Sequence, residues 1–304
     1  MNVKTVSFQK NENLSVVQIA AENQNSFYYI SAQAAIDKNL IQVKEISESG
    51  SVNMLHVYNL SDKFVFLMDG DVLAGAKQNR VLNTSVLLAP NSKINLPVSC
   101  VERGRWSHIS EKFQSTDYVA PSDLRAKKAR RVAENLRRKK EHTASQKEIW
   151  DEVDKYALKF RVKSISSNLS DVYAEKNRDF VGFIEFFKHV PEANGMAVFV
   201  KNNLLSIDIF NRTDIFAEYF PKILKGCALE VFGLPGNSEL SEAEANYKTL
   251  NFIDQFEKLD FDEYPGVGIG TEKRFNTNGL TGFELSYNSH LIHLTALNLQ
   301  NEKE

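Results

Sequence analysis

The chain has 304 residues, 42% of them hydrophobic and 25% charged, and a formal charge of only −2. That length holds one large domain or two small ones, and the near-neutral sum excludes a uniformly basic nucleic-acid coat. The sum hides a split, because residues 125–140 carry nine Lys/Arg against one acid, Glu134, leaving +8 there and −10 elsewhere.

Polar side chains interrupt residues 1–25, which therefore lack the apolar core of a signal peptide, and no run approaches the length of a membrane span. Cys100 and Cys227 are the only cysteines, too few for a disulfide scaffold or a Cys-rich zinc module. These features predict a cytoplasmic protein with reduced thiols and no membrane partner.

Up to about residue 101 the chain alternates with period two. The stretches 14–19, 26–30, 41–46, 52–60, 64–68, 85–88 and 94–101 predict strands, with a brief helix at 32–37. After Pro121 the period becomes 3.6. Ser122 is a candidate N-cap, and Leu124, Ala129, Val132, Ala133 and Leu136 form a narrow apolar stripe on a helix over 123–141 whose remaining circumference is basic. A capping box, Ser145 and Glu148, opens a second helix carrying Ile149, Val153, Tyr156 and Phe160. Further helices are expected at 170–176, 179–188, 213–232 and 241–257, with a hairpin of 197–200 and 204–210 turned at Asn202-Asn203. Strands return at 272–275, 281–287 and 291–298, the last two joined by a tight turn at Asn288-Ser289.

Strands, then helices, then strands is not a regular βαβ alternation, so the fold class is α+β. The β portion is mostly antiparallel, the centre helical, and a C-terminal hairpin returns to the sheet. The chain reads as a single unit over 1–304, at most bilobal, mainly β over 1–120, mainly α over 121–260 and β over 261–304. The stretch 257–270 is the best linker candidate.

The densest polar cluster runs from Asp69 to Ser85. It follows an apolar strand, so its acids, amides and cations gather at a strand end, where ligands reach them. A phosphate-binding P-loop is excluded, because Ala76 stands before Lys77 and Gln78 replaces the magnesium-binding Ser/Thr. Asp69 and Asp71 share a face if the backbone is extended, which suits holding a cation or an acid/base pair, and Asp-Gly-Asp equally suits a turn. Lys77, Asn79 and Arg80 suit a phosphate or carboxylate, or a solvated surface.

A second cluster is Ser99 to His108. Cys100 suits a buried small hydrophobe better than a nucleophile with His108 as base. Glu102, Arg103 and Arg105 lie where the strand runs out, and Trp106 suits base stacking or a rim anchor. His290 and His293 fall on opposite faces of a strand, so no metal site is expected. The glycines at 266, 268 and 270 lead into a strand and form no dinucleotide fingerprint; they suit a loop over a pocket with Thr271, Glu272 and Arg274 at its edge. The basic helix suits a polyanion, with steep salt dependence, or a solvated surface.

The stretches FLMDGDVLAGAKQNRVLNTSVLLAP, KINLPVSCVERGRW and QKEIWDEV, the segment NGMAVFVKNNLLSIDIFNRTDIFAEYFPKILKGCAL and the ending HLIHLTALN resemble the ADP-ribosylglycohydrolase- and rhodanese-phosphatase-associated protein domain, a bacterial family of largely unestablished biochemistry. The resemblance spans roughly residues 10–298. It implies a place in ADP-ribose or NAD-linked nucleotide metabolism or in defence, by association, and transfers no catalytic residue. One departure is that Asp71 is followed by Val72 where relatives commonly carry a second acid.

The expectation drawn from both routes is a strand-end site for a phosphorylated or ADP-ribose/NAD-like nucleotide, with hydrolysis as the chemistry such a site would support. Lys77, Gln78, Asn79, Arg80, Asn83, Arg103 and Trp106 are the candidate ligand-binding residues, and Asp71 and Glu102 the candidate acid and base. No cofactor or metal is called for. The alternative is a non-enzymatic adaptor or nucleic-acid-associated module acting through the basic helix.

Overall fold

A computed structural model describes residues 1–299 apart from 23, 48 and 278. The chain opens with the hairpin β1 (Val3–Asn11) and β2 (Leu14–Ala21), then β3 (Ile30–Ser31), α1 (Ala32–Asp37), β4 (Ile41–Glu45), β5 (Met54–Asn59), β6 (Val65–Leu67) and β7 (Asp71–Gly75). Next come β8 (Arg80–Leu82), β9 (Val86–Leu88), β10 (Ser92–Cys100) and β11 (Phe113–Val119), before the helices α2 (Ser122–Lys139), α3 (Gln146–Phe160) and α4 (Leu169–Glu185). The hairpin β12 (Gly195–Val200) and β13 (Asn203–Phe210) precedes α5 (Thr213–Val231) and α6 (Glu242–Phe256), and β14 (Asp262–Pro265), β15 (Thr271–Asn276), β16 (Leu280–Tyr287) and β17 (His290–Asn298) end the chain.

The fold is α+β. An eight-stranded antiparallel sheet runs β1-β2-β12-β13-β17-β16-β15-β14, so both ends of the chain meet in one sheet through the central hairpin. A six-stranded sheet runs β11-β7-β8-β10-β5-β4, and a small one β3-β6-β9. The large sheet is covered on both faces, which is why every residue of β2 is buried. Val17, Ile19, Ala197 and Ile207 pack with Phe252 and Ile253 of α6, whereas Val16, Val198 and Phe210 join Phe216 and Leu224 of α5. Burying each of the Val, Ile, Leu and Phe side chains among these contributes about 1.5–3 kcal/mol.

Local signals explain much of this. Ser145 Oγ accepts from Glu148 N-H at 3.4 Å and Ser241 Oγ from Glu244 N-H at 3.3 Å, so both capping serines do as their spacing demands. Asn288 and Ser289 take φ of 48° and 64°, the left-handed pair that a two-residue hairpin turn requires. Helix α2 begins at Ser122 itself, and Pro121 precedes it with no side-chain cap. The two helices expected over 170–188 are one, α4, because Phe180, Phe183 and Ile184 continue the buried stripe of Leu169, Val172 and Tyr173. The expected linker contains β14, a short edge strand that Pro265 closes.

Helix α2 differs most from its sequence reading. It crosses the large sheet beside β15, β16 and β17, and Arg125 and Lys128 are buried with Ala126, Ala129 and Val132. They are tolerated inside because acids distant in sequence meet them there, as described next.

Candidate functional site

Asp69, Gly70 and Asp71 form a turn in which Asp71 N-H reaches Met68 O at 3.1 Å. Its two carboxylates part. Asp69 accepts from Arg125 Nε at 3.1 Å and from Lys128 Nζ, and Arg125 continues to Asp208 at 2.7 Å and Thr295 at 3.1 Å. His293 Nε2 lies 3.4 Å from Asp208, and its Nδ1 is 2.9 Å from Ser85 Oγ. All of these side chains are buried. Burial opposes the charge on Asp208, yet Arg125 and His293 outweigh it and hold that carboxyl well below the usual range. Asp71 instead accepts from Tyr219 Oη at 2.7 Å and Met68 N-H at 2.9 Å under α5, and burial raises its pKa.

The polar run after β7 assembles with the loop after β10. Glu102 accepts from Asn79 N-H at 3.1 Å, from Arg105 at 2.8 and 2.5 Å, and from Ser166 Oγ at 3.0 Å. The Asn79 side chain donates to Ser170 Oγ at 2.9 Å, at the N-terminus of α4. Arg80 is wholly buried, reaching Gln78 Oε1 at 2.9 Å, Ser51 O at 3.2 Å and the Cys100 sulfur. Trp106 lies across Arg80 and Lys77, 5.4 and 5.5 Å from their charged groups, and Arg103 stacks on Trp150. Burial pushes the Cys100 thiol up to about 11, and His108 turns to Ser110 O. Of the candidate residues, Lys77, Gln78, Asn79, Arg80, Glu102, Arg103 and Trp106 are thus gathered. Asp71 and Asn83 lie elsewhere.

Asn83 leads to a cleft. Its Nδ2 donates to His142 O at 3.1 Å, while Ser99 Oγ donates to its Oδ1 at 2.8 Å. His142 lines a cleft of about 1100 Å³ between the C-terminal end of α2, the β5–β10 strands and residues 262–267. Its Nε2 is 3.3 Å from Glu272 Oε1, at contact distance without an aligned hydrogen bond. Glu272 is buried and accepts from Thr84 Oγ1 at 2.6 Å and from Arg274 Nε, and Arg274 Nη2 donates to Thr84 Oγ1 at 2.9 Å. Burial would raise the Glu272 pKa; Arg274 and His142 reverse this and bring it down to about 2. The result is an ionised carboxylate beside a histidine, a pairing that orients an imidazole for proton transfer once the two groups align.

On β14, Tyr264 stands opposite Glu272 and Asp262 opposite Arg274. Partners opposed across an antiparallel pair share a face, so these four side chains form one patch. Arg137 of α2 lies over it, 2.5 Å from Asp262. The glycine run borders the same cleft but is fixed, since Ile269 N-H reaches Leu87 O at 2.9 Å.

One family model matches residues 2–297. The chain belongs to the ARG and Rhodanese-Phosphatase-superfamily-associated Protein domain family. No curated protein and no solved structure matched. In this family member the G-A-K-Q-N-R-V-L-N-T run approaches the cleft from behind, since Arg80 holds the carbonyl of Ser51 on its rim, Asn83 the carbonyl of His142, and Thr84 the carboxylate of Glu272.

His142 was not singled out from sequence, and its only signal is its place between a basic run and a capping serine. Tyr264 and Asp262 were hidden in the apparent linker. Among the helix cations, Lys127 pairs with Glu152 and Arg131 with Glu148, both at 2.5 Å, while Arg138, Lys139 and Lys140 are exposed at the tip. No group of three His, Cys, Asp or Glu among the described residues is arranged to hold a metal ion, and no helix among them is long and apolar enough to cross a membrane.

Proposed function

We propose that the chain binds a phosphorylated, ADP-ribose- or NAD-like nucleotide in the cleft beside α2 and hydrolyses it. The observation that carries this reading is His142, which lines the cleft with Nε2 3.3 Å from the buried Glu272 carboxylate. Glu272 favours the tautomer with the proton on Nε2, leaving Nδ1 as the base. His142 then takes a proton from the attacking water and returns it to the leaving group. Arg137 and Lys140 on the cleft wall supply charge for phosphate. The family's description, which names a phosphatase superfamily among its associations, agrees with a phosphorylated ligand. Arg80 acts behind the cleft by holding the carbonyl of Ser51 on its rim.

Calorimetry with ADP-ribose, NAD and ATP, followed by chromatography of the products, tests this. Binding of at least one, with turnover lost in His142→Ala while binding persists, is the expected result. Absence of heat with all three, or turnover that survives His142→Ala, overturns it.

A further inference from the structure

The cleft holds an ion pair whose partners suit two different parts of one ligand. Arg137 Nε and Asp262 Oδ2 are 2.5 Å apart, with the side chains 49% and 39% exposed. Such a solvent-facing pair contributes little, so a ligand group that binds either partner better displaces it readily. Asp262 and Tyr264 are two residues apart on one half-buried face of β14 and both line the cleft, whereas Glu263 between them is on the strand's exposed face and borders the cleft from there. A carboxylate accepts two hydroxyl donors at once, and a tyrosine ring offers a stacking face for a base. A guanidinium binds phosphate bidentately, with Lys140 on the same wall as a second cation.

We propose that the ligand is a ribonucleoside phosphate, recognised by an exchange in which its phosphate takes Arg137, its ribose diol takes the released Asp262, and its base lies on Tyr264. This deepens the ligand class proposed above and rests on it. Tyr264 stands opposite Glu272, which is the neighbour of His142, so the same placement brings the nucleoside end beside the imidazole.

Calorimetric titration of the full chain with ADP, 2′,3′-dideoxy-ADP and inorganic pyrophosphate, in the native protein and in Asp262→Ala and Tyr264→Leu, separates the parts. The native protein should bind ADP roughly tenfold or more tightly than the dideoxy analogue, the effect of losing hydrogen bonds to a charged acceptor. Asp262→Ala should erase that preference and bind pyrophosphate more tightly than the native chain, because Arg137 is no longer paired. Tyr264→Leu should weaken ADP and leave pyrophosphate unchanged. Equal affinity of the native protein for ADP and its dideoxy analogue, with pyrophosphate still bound, overturns the ribose assignment and leaves the phosphate reading standing. Pyrophosphate binding that Asp262→Ala weakens or leaves unchanged overturns the exchange. If neither ADP nor pyrophosphate binds the native chain, both readings fall. Melting temperatures should match across the variants, since both substituted side chains are partly exposed at an edge strand.

Discussion

The side-chain amide of Asn83 donates to the backbone carbonyl of His142 at 3.1 Å, so the last asparagine of the polar run fixes the residue that faces the cleft. Asn83 is buried and also accepts from Ser99 Oγ. Asn83→Ala leaves both partners without it, the Ser99 hydroxyl in the buried interior and the His142 carbonyl partly buried beside the cleft, at a cost of about 1–3 kcal/mol. Urea denaturation should show the loss as a lower midpoint with an unchanged slope. Ligand-dependent heat should fall as well, because the His142 carbonyl loses its anchor while Asn135 still holds that of Thr143; heat retained at native affinity would show that Asn83 serves stability alone.

Gly70 makes a second, sharper case. Its φ of +83° lies in the left-handed region, and a Cβ there would come within 2.8 Å of Arg125 Cδ. Arg125 has no room to retreat, being held by Asp69 and Asp208. Gly70→Ala should therefore destabilise by about 1–3 kcal/mol from backbone strain, more if the buried ion pairs loosen. Thermal denaturation reads this directly. A melting temperature within error of the native value would mean that the turn and Arg125 move apart freely.

How far these contacts were legible from sequence follows from the range of the information. The capping serines Ser145 and Ser241, most of the period-two strands and the Asn288-Ser289 turn are local, and they appear in the structure where the pattern put them; Ser122 is inside its helix instead of capping it, and of the strand expected over 26–30 only Ile30 is in one. Arg125 and Lys128 looked like solvent cations because their helix neighbours are cations; what buries them is Asp69 and Asp208, brought by other strands. The densest polar run was correctly noticed, yet its members diverge. Asn79 turns to Glu102, Arg80 to Ser51 O and the Trp106 ring, Asn83 and Thr84 to the cleft, and Asp71 to Tyr219. Alternation on a strand tells which residues share a face but not what packs over it. His142 had no local pattern beyond its place between a basic run and a capping serine, since its partner Glu272 arrives from the far end of the chain. Glu272 and Arg274 were expected at a pocket edge from the glycine run; they are instead buried, with Glu272 in contact with the cleft's histidine.

Glu272 gives a pH dependence of one sign. Its folded pKa of about 2 lies below the ordinary 4.5, so its contribution to stability is full above the unfolded value and is lost as pH falls from about 5 toward 2. The shift corresponds to something on the order of 3 kcal/mol. Glu272→Gln should flatten the acid limb of the stability curve relative to the native protein, while being less stable at neutral pH. Parallel acid limbs for the two proteins would remove Glu272 from the pH dependence.

Asp71 gives the opposite sign. Burial raises its pKa above 3.8, against the lowering pull of Lys222 and the Tyr219 hydroxyl, so the folded state holds this proton more tightly than the unfolded one. Its effect on stability is most favourable below the unfolded value and is lost as pH rises through the folded value. Both hydrogen bonds it accepts fall on Oδ2, and Oδ1 has no hydrogen-bond partner. Asparagine can keep those two acceptor contacts through its carbonyl oxygen and carries no charge to desolvate. Asp71→Asn should match the native protein at low pH and be the more stable of the two at neutral and alkaline pH, measured by urea denaturation across that range. A variant that is less stable than the native chain at pH 8 would mean that the Asp71 charge is itself stabilised in the folded state, by Lys222 above all, and that burial does not dominate there.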